Sequence, residues 1–373
     1  MRTTKARQAG DAGFTLVELM VTMVIVLIIM GATLTSLTNA YRATESAKGI
    51  SGLNNNLRIG MDLIVRDLIQ VGQGMPTGRT VQIPNGTGAL LIQRPHPQGS
   101  ACTTWAAGST VIPAVSAGPG CGPTINGVAT DLLTTLAVDS VLDGVPIASF
   151  DVTAHSATVA LPAQAAGGVD ISTGGPDDVD VGDLMMFTKG SASALVYVTA
   201  VNGAQTFVFG GGDPMNLNQF AAVLNGTVDD LATLAPTVAY SASVSRIRMI
   251  SYYLDNTLDA TTPRLIRHMN WGVPSAAVNQ RGRTVAFAID NLQITYDMVD
   301  GANNPSNVKM LAVDLTTGGA CAPSACSPNQ IRKVTVYLAA RSANRYSVTR
   351  QFFRNTLTTQ VSLRSLALVD RYK

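Results

Sequence analysis

From Leu19 to Tyr41 the chain runs for twenty-three residues without a charged side chain. As a helix at about 1.5 Å per residue this run is roughly 34 Å long, enough to cross the hydrocarbon core of a bilayer. Such a rod must lie in lipid or be covered by protein, so it constrains everything that follows it. Arg2, Lys5 and Arg7 precede it, with Asp11 as the acidic residue of the same stretch. A positive flank stays cytoplasmic, so the residues after Tyr41 are expected outside the inner membrane as the head of a single-pass protein.

An ordinary secretory signal is cut after its apolar region, beside small residues. Here the processing signal, Gly13-Phe14-Thr15-Leu16-Val17-Glu18, comes before the run, so a cut there leaves the rod on the mature chain. This arrangement resembles the class III signal of type IV pilins and pseudopilins. The resemblance implies a prepilin peptidase that cuts between Gly13 and Phe14, N-methylation of Phe14, and Glu18 as the fifth mature residue. A carboxylate at the mouth of an apolar helix is costly unless it is paired, neutralised or held at the interface. The family supplies the partner for Glu18: the amine of a newly cleaved neighbouring subunit, or the chain's own Phe14 amine before assembly.

Removing residues 1–13 leaves 360 residues with 23 basic and 23 acidic side chains, enough for one large or two modest domains. That balance gives no basic surface for nucleic acid, so no nucleic-acid partner is predicted. Two cysteine pairs, Cys102 with Cys121 and Cys321 with Cys326, sit in loops rich in Gly, Pro, Ser and Ala. Two local disulfides in an oxidising periplasm are the natural reading; other connectivities are open to the sequence, and a zinc site lacks C-x-x-C spacing. His96, His155 and His268 lie in separate segments, and no nucleophile elbow, HExxH pair or phosphate loop occurs, so no enzyme, catalytic residue or cofactor is expected. His268 reads as a half-exposed strand residue, and Trp105 and Trp271 as packing under loops or as partner anchors.

Beyond the rod, Ile50, Leu53, Leu57, Met61, Ile64 and Leu68 recur at three- and four-residue intervals, which predicts an amphipathic continuation of the helix. Arg58, Asp62, Arg66 and Asp67 are assigned to its other faces. Gly49 and Gly52 mark a weak junction, and the helix should stop near Gly72 or Gly74 before Pro76. Residues 75–236 read as a β-rich insert without helix, with strands at Ala89–Gln93, Thr158–Leu161, Leu184–Thr188, Ala194–Val201 and Thr206–Phe209. Within it Asp177, Asp178, Asp180 and Asp183 form a weak calcium candidate, for which a solvated turn is the favoured alternative, so no metal site is assigned. The sequons at Asn85 and Asn225 read as turns. From residue 237 the pattern is an antiparallel sheet: a hairpin of Val244–Leu254 with Arg264–Met269, then Val285–Asp290, Leu292–Met298, Ile331–Arg341, Ser347–Leu357 and Val361–Leu368.

The expected class is therefore α+β: a long amino-terminal helix, transmembrane over 14–40 and amphipathic over 41–74, packed on an antiparallel head with a large β/loop insert. Runs such as Ile247-Arg248-Met249-Ile250-Ser251-Tyr252-Tyr253 and Ile331-Arg332-Lys333-Val334-Thr335-Val336-Tyr337-Leu338, with the ending Gln360-Val361-Ser362-Leu363-Arg364, resemble the PilW-like minor pilins. That resemblance implies a role in type IV pilus assembly, in a tip or priming complex. The implied partners are other major and minor pilins, the prepilin peptidase, the assembly machinery and inner-membrane lipid, with an extracellular pilus as the final location. The alternatives are a type II secretion pseudopilin and, from another class, a membrane-tethered periplasmic binding protein or hydrolase. Adhesion is an added task the insert leaves open.

Overall fold

The computed structural model describes residues 15–76, 79–160, 179–221, 223–233, 242–271, 282–299, 307–311 and 331–367. Its longest element is one continuous helix, Leu16–Ile69, of 54 residues. Thr15 caps it: the Thr15 hydroxyl accepts the Glu18 N–H at 3.3 Å, and a Glu18 oxygen accepts the Thr15 N–H at 3.0 Å. The helix runs unbroken through Gly49 and Gly52 and ends at Ile69 with Gln70 as its cap, just before the turn that holds the expected glycines. Gly72 and Gly74 both hold φ near +71°, a conformation that L side chains rarely adopt. At Gly74 a Cβ would lie 2.7 Å from Val138 Cβ, so the close docking of this turn on the sheet also requires glycine.

The head is built around the 13-residue strand Ser243–Asp255. One of its edges pairs with Leu184–Lys189 along the first half and with Arg264–Met269 along the second. The other edge pairs with Val145–Asp151 at its start and with Leu132–Val138 thereafter. All these pairings are antiparallel, and strands from both sides of position 236 share this one sheet. Further strands extend it through Ala192–Tyr197, Val115–Gly118, Arg283–Phe287, Ser156–Val159, Thr206–Val208 and Ala200–Asn202. A second sheet has the order Asn307–Leu311, Ile289–Val299, Ile331–Arg341, Arg354–Ser362. The architecture is the expected α+β class.

Two apolar clusters hold the head. The larger joins Leu53, Leu57, Met61, Ile64 and Leu68 of the helix to Ile247, Tyr252 and Leu254 of the long strand and to Ile294, Val336 and Leu338 of the second sheet. The smaller is aromatic, with Phe187, Phe207 and Phe209 packed beside Val228, Leu231 and Val244, away from the helix.

Several local expectations are corrected. Ile50 is exposed, so the seated face begins at Leu53. Asp67 is buried on that face rather than on a solvent face. Ala89–Gln93 is irregular, with a single bridge from Gln93 to Thr104. Residues 342–353 form a loop, and the final strand is Arg354–Ser362, followed by the short helix Arg364–Ala367. A helix also occurs in the insert, Val228–Thr233. The two sequon asparagines pair with each other, each backbone N–H donating to the other's carbonyl at 3.0 and 2.9 Å.

The helix glycines differ in what surrounds them. Gly52 faces open space, whereas a Cβ at Gly60 would lie 2.9 Å from Leu265 Cδ2 and 3.5 Å from Ala286 Cβ. Gly52→Ala is expected to raise unfolding stability by about 1 kcal/mol through helix propensity. Gly60→Leu is expected to lower it by about 2 kcal/mol, because the helix must lift from the sheet. Chemical denaturation of the solubilised chain measures both; a Gly60→Leu variant as stable as the parent would contradict this seat.

Candidate functional site

The amino-terminal half of the helix touches nothing else among the described residues. Its most apolar window has a mean hydropathy of 2.4 and is 0 % buried. The large apolar side chains from Leu16 to Tyr41 are each 50–75 % exposed. An apolar surface of that extent is not left in water. The threonine hydroxyls within it turn inward on the backbone: Thr22 donates to the Leu19 carbonyl at 2.9 Å, Thr35 to Gly31 at 2.8 Å and Thr38 to Thr35 at 2.8 Å. Polar groups satisfied in this way can enter a hydrocarbon environment at low cost.

Glu18 sits in the first turn. Its Oε2 accepts both the N–H and the hydroxyl of Thr15, each at 3.0 Å, while its Oε1 takes no hydrogen bond from the described residues. The carboxylate therefore serves as helix cap and still offers an oxygen to an outside cation. Gly13 and Phe14, the expected cleavage pair, lie outside the described residues.

At the other end the helix is tied to the head by a buried polar contact. Asp67 Oδ2 accepts the Tyr252 hydroxyl at 2.5 Å and Arg267 Nε at 2.7 Å, and Oδ1 accepts Arg267 Nη2 at 3.3 Å. Tyr252 and Arg267 face each other across the hairpin. Burial, reinforced by the Asp67 carboxylate, pushes the Tyr252 phenol well above its ordinary value, which keeps it a donor. One turn further, Arg248 Nη2 reaches Gln70 Oε1 at 3.3 Å. Sequence reasoning missed the pairing of Asp67 with Tyr252 and Arg267.

The remaining candidates are scattered. Cys102 and Cys121 form a disulfide with Cα atoms 5.4 Å apart, packed against Leu132, Tyr253 and Ile266. Cys321 and Cys326 lie outside the described residues, as do Asp177 and Asp178. Asp180 and Asp183 close a turn, with the Asp180 N–H donating to Asp183 Oδ2 at 3.1 Å, and Asp183 pairs with Arg246 at 3.6 Å. Burial pushes the Asp183 carboxyl up. Among the described residues no group of three metal-ligating side chains gathers. His268 is buried rather than half-exposed, with Nδ1 3.3 Å from the Tyr253 hydroxyl. His96 and His268, distant in sequence, both stand beside Trp271, with ring centroids 6.1 and 6.4 Å away. His155 instead stacks on Phe220, and Trp105 is buried under Arg94.

In comparisons with known proteins, the prokaryotic N-terminal methylation motif matches residues 9–34. No curated protein and no solved structure matches the chain. The matched segment contains the expected cleavage pair, Glu18 and most of the bare rod, so the amino terminus is of the prepilin type and the chain is pilin-like in this part.

Proposed function

We propose that the chain is a minor pilin, similar to the PilW-like subunits, that takes part in type IV pilus assembly within a tip or priming complex. The observation that carries this reading is a bare apolar half-helix, continuous with a seated half, beginning in a prepilin-type motif. Such a helix is held in the inner membrane until assembly extracts it, after which the helices of neighbouring subunits replace lipid around it. The function is association, not catalysis. A head whose second apolar cluster lies away from the helix is bulky for regular stacking, which favours a position at the end of a fibre. The partners on this reading are major and minor pilins, the prepilin peptidase and the assembly machinery, and the head faces the periplasm before extraction.

Mass spectrometry of sheared filaments tests both parts of the reading. The expected result is a mature chain that begins at N-methylated Phe14 and is present far below the major subunit. Recovery with Met1 intact, or cut after Tyr41, would overturn the pilin reading in favour of a tethered periplasmic protein. Abundance equal to the major subunit would remove the tip assignment, and absence from filaments alongside a secretion defect would favour a type II pseudopilin.

A further inference from the structure

The loop 342–353, between the strands Ile331–Arg341 and Arg354–Ser362, is held against the helix just beyond its apolar run. Its neck is closed by the Ser342 N–H donating to the Phe353 carbonyl at 2.8 Å and the Phe353 N–H to the Ser342 hydroxyl at 3.1 Å. Its tip is closed by the Tyr346 N–H to Gln351 and the Arg350 N–H to Tyr346, both at 2.8 Å. The tip then reaches the helix, where the Ser347 hydroxyl donates to Glu45 Oε2 at 2.6 Å. Phe353 covers Gly49 so closely that a Cβ there would lie 3.3 Å from its ring. The loop's height along the rod is therefore fixed.

That height is informative. Glu45 stands four residues past Tyr41, about 6 Å along the helix axis. The headgroup layer of a bilayer extends roughly 5–7 Å beyond the hydrocarbon on each side. With Leu19–Tyr41 spanning the hydrocarbon, Ser347 falls within that layer. The side chains at this level suit it. Arg345 and Arg350 are exposed on the loop, Arg42 and Lys48 are exposed on the helix, and Val348 at the tip is 52 % exposed. The opposing carboxylate, Glu45, is already engaged by Ser347.

We propose that this loop is a membrane-surface contact, in which Arg345 and Arg350 bind the phosphates of anionic phospholipids in the outer leaflet of the bilayer that holds the helix. Guanidinium groups match phosphate geometry, and an apolar tip residue between them suits the acyl boundary. The contact would hold the head at a fixed height and tilt before extraction. It rests on the membrane-anchored reading above.

The test uses the full chain reconstituted in vesicles of phosphatidylcholine alone or with about a third phosphatidylglycerol. Flotation with both kinds of vesicle reports the anchor. Trypsin cleavage after Arg345 and Arg350 reports the loop, and phosphatidylglycerol is expected to slow it roughly fivefold, with the protection lost at high salt. V348W supplies a second readout. Its quenching by headgroup-region brominated lipid should rise with phosphatidylglycerol and lose that dependence when R345Q and R350Q are added. Chains that float but show neither effect would overturn the loop contact and leave the anchor standing. Chains that fail to float would overturn both, and V348C cross-linking between copies with unchanged trypsin cleavage would assign the loop to a protein neighbour.

Discussion

Asp67→Ala is expected to lower the unfolding free energy of the head by about 3 kcal/mol. The Asp67 side chain is only 3 % exposed, and its partner Arg267 is 21 % exposed. Removing the carboxylate strands a guanidinium in a mostly dry seat and takes the acceptor from the Tyr252 hydroxyl, and each of these carries a desolvation penalty. Water reaching the exposed part of Arg267 keeps the loss at the lower end of the range for broken buried pairs. Tyr252→Phe should cost about 1 kcal/mol, since the ion pair survives. The double variant Asp67→Leu with Arg267→Leu should recover most of the single-variant loss, because neither charge is then buried alone. Denaturant titration of the solubilised chain measures all three. A loss below the Tyr252→Phe value for Asp67→Ala would mean that the contact does not seat the helix.

This seat shows why the site was only half legible in the sequence. The apolar repeat of Leu53, Leu57, Met61, Ile64 and Leu68 gives the seated face directly, and Asp67 lies on it between Ile64 and Leu68. Residue type argued for solvent, and only its partners, 185 and 200 residues away along the chain, overrule that. The rod and the amino-terminal methylation motif were legible because they are local: one is a run without charge and the other a contiguous string.

The same distinction separates the strands that were found from those that were missed. Arg264–Met269 and Ile331–Arg341 were read at their observed bounds, each carrying β-branched or long apolar residues between clear turn signals. Leu132–Val138 was missed because all seven of its residues are buried, so it shows no alternation. Its interior Thr134 is accommodated by a 2.9 Å contact with the hydroxyl of Ser251 across the sheet. The helix Val228–Thr233 is too short for periodicity, yet Thr227 and Asp230 carry its start signal: the Asp230 N–H donates to the Thr227 hydroxyl at 3.1 Å, and Asp230 accepts the Gly226 N–H at 3.0 Å. Of Ser347–Leu357 only Arg354–Leu357 is strand; the aromatic and β-branched residues before it lie in a loop, where Arg350 at φ +54° turns the chain.

Glu18→Gln is expected to leave insertion and processing intact and to cut incorporation into filaments or the priming complex at least tenfold. The Glu18 carboxylate has two separable uses. As a cap, Glu18 engages Thr15 through Oε2, and a glutamine amide oxygen can take over that acceptor role at small cost. As a charge, on the proposed reading it offers Oε1 to the amine of another subunit inside a bundle of apolar helices, and glutamine cannot replace that attraction. Breaking one partner of a desolvated charge pair costs about 2 kcal/mol or more, a factor of roughly 30 in association. Glu18→Ala should therefore be no worse in assembly than Glu18→Gln by more than the cap, about 1 kcal/mol. Thr15→Ala, which weakens the cap and keeps the carboxylate, should assemble nearly as the parent does. Quantitative immunoblots of sheared filaments against the membrane pool measure each variant. If Thr15→Ala fails while Glu18→Gln assembles normally, the first turn matters to the fibre as helix geometry, and the charge assigned to Glu18 has no part in joining subunits.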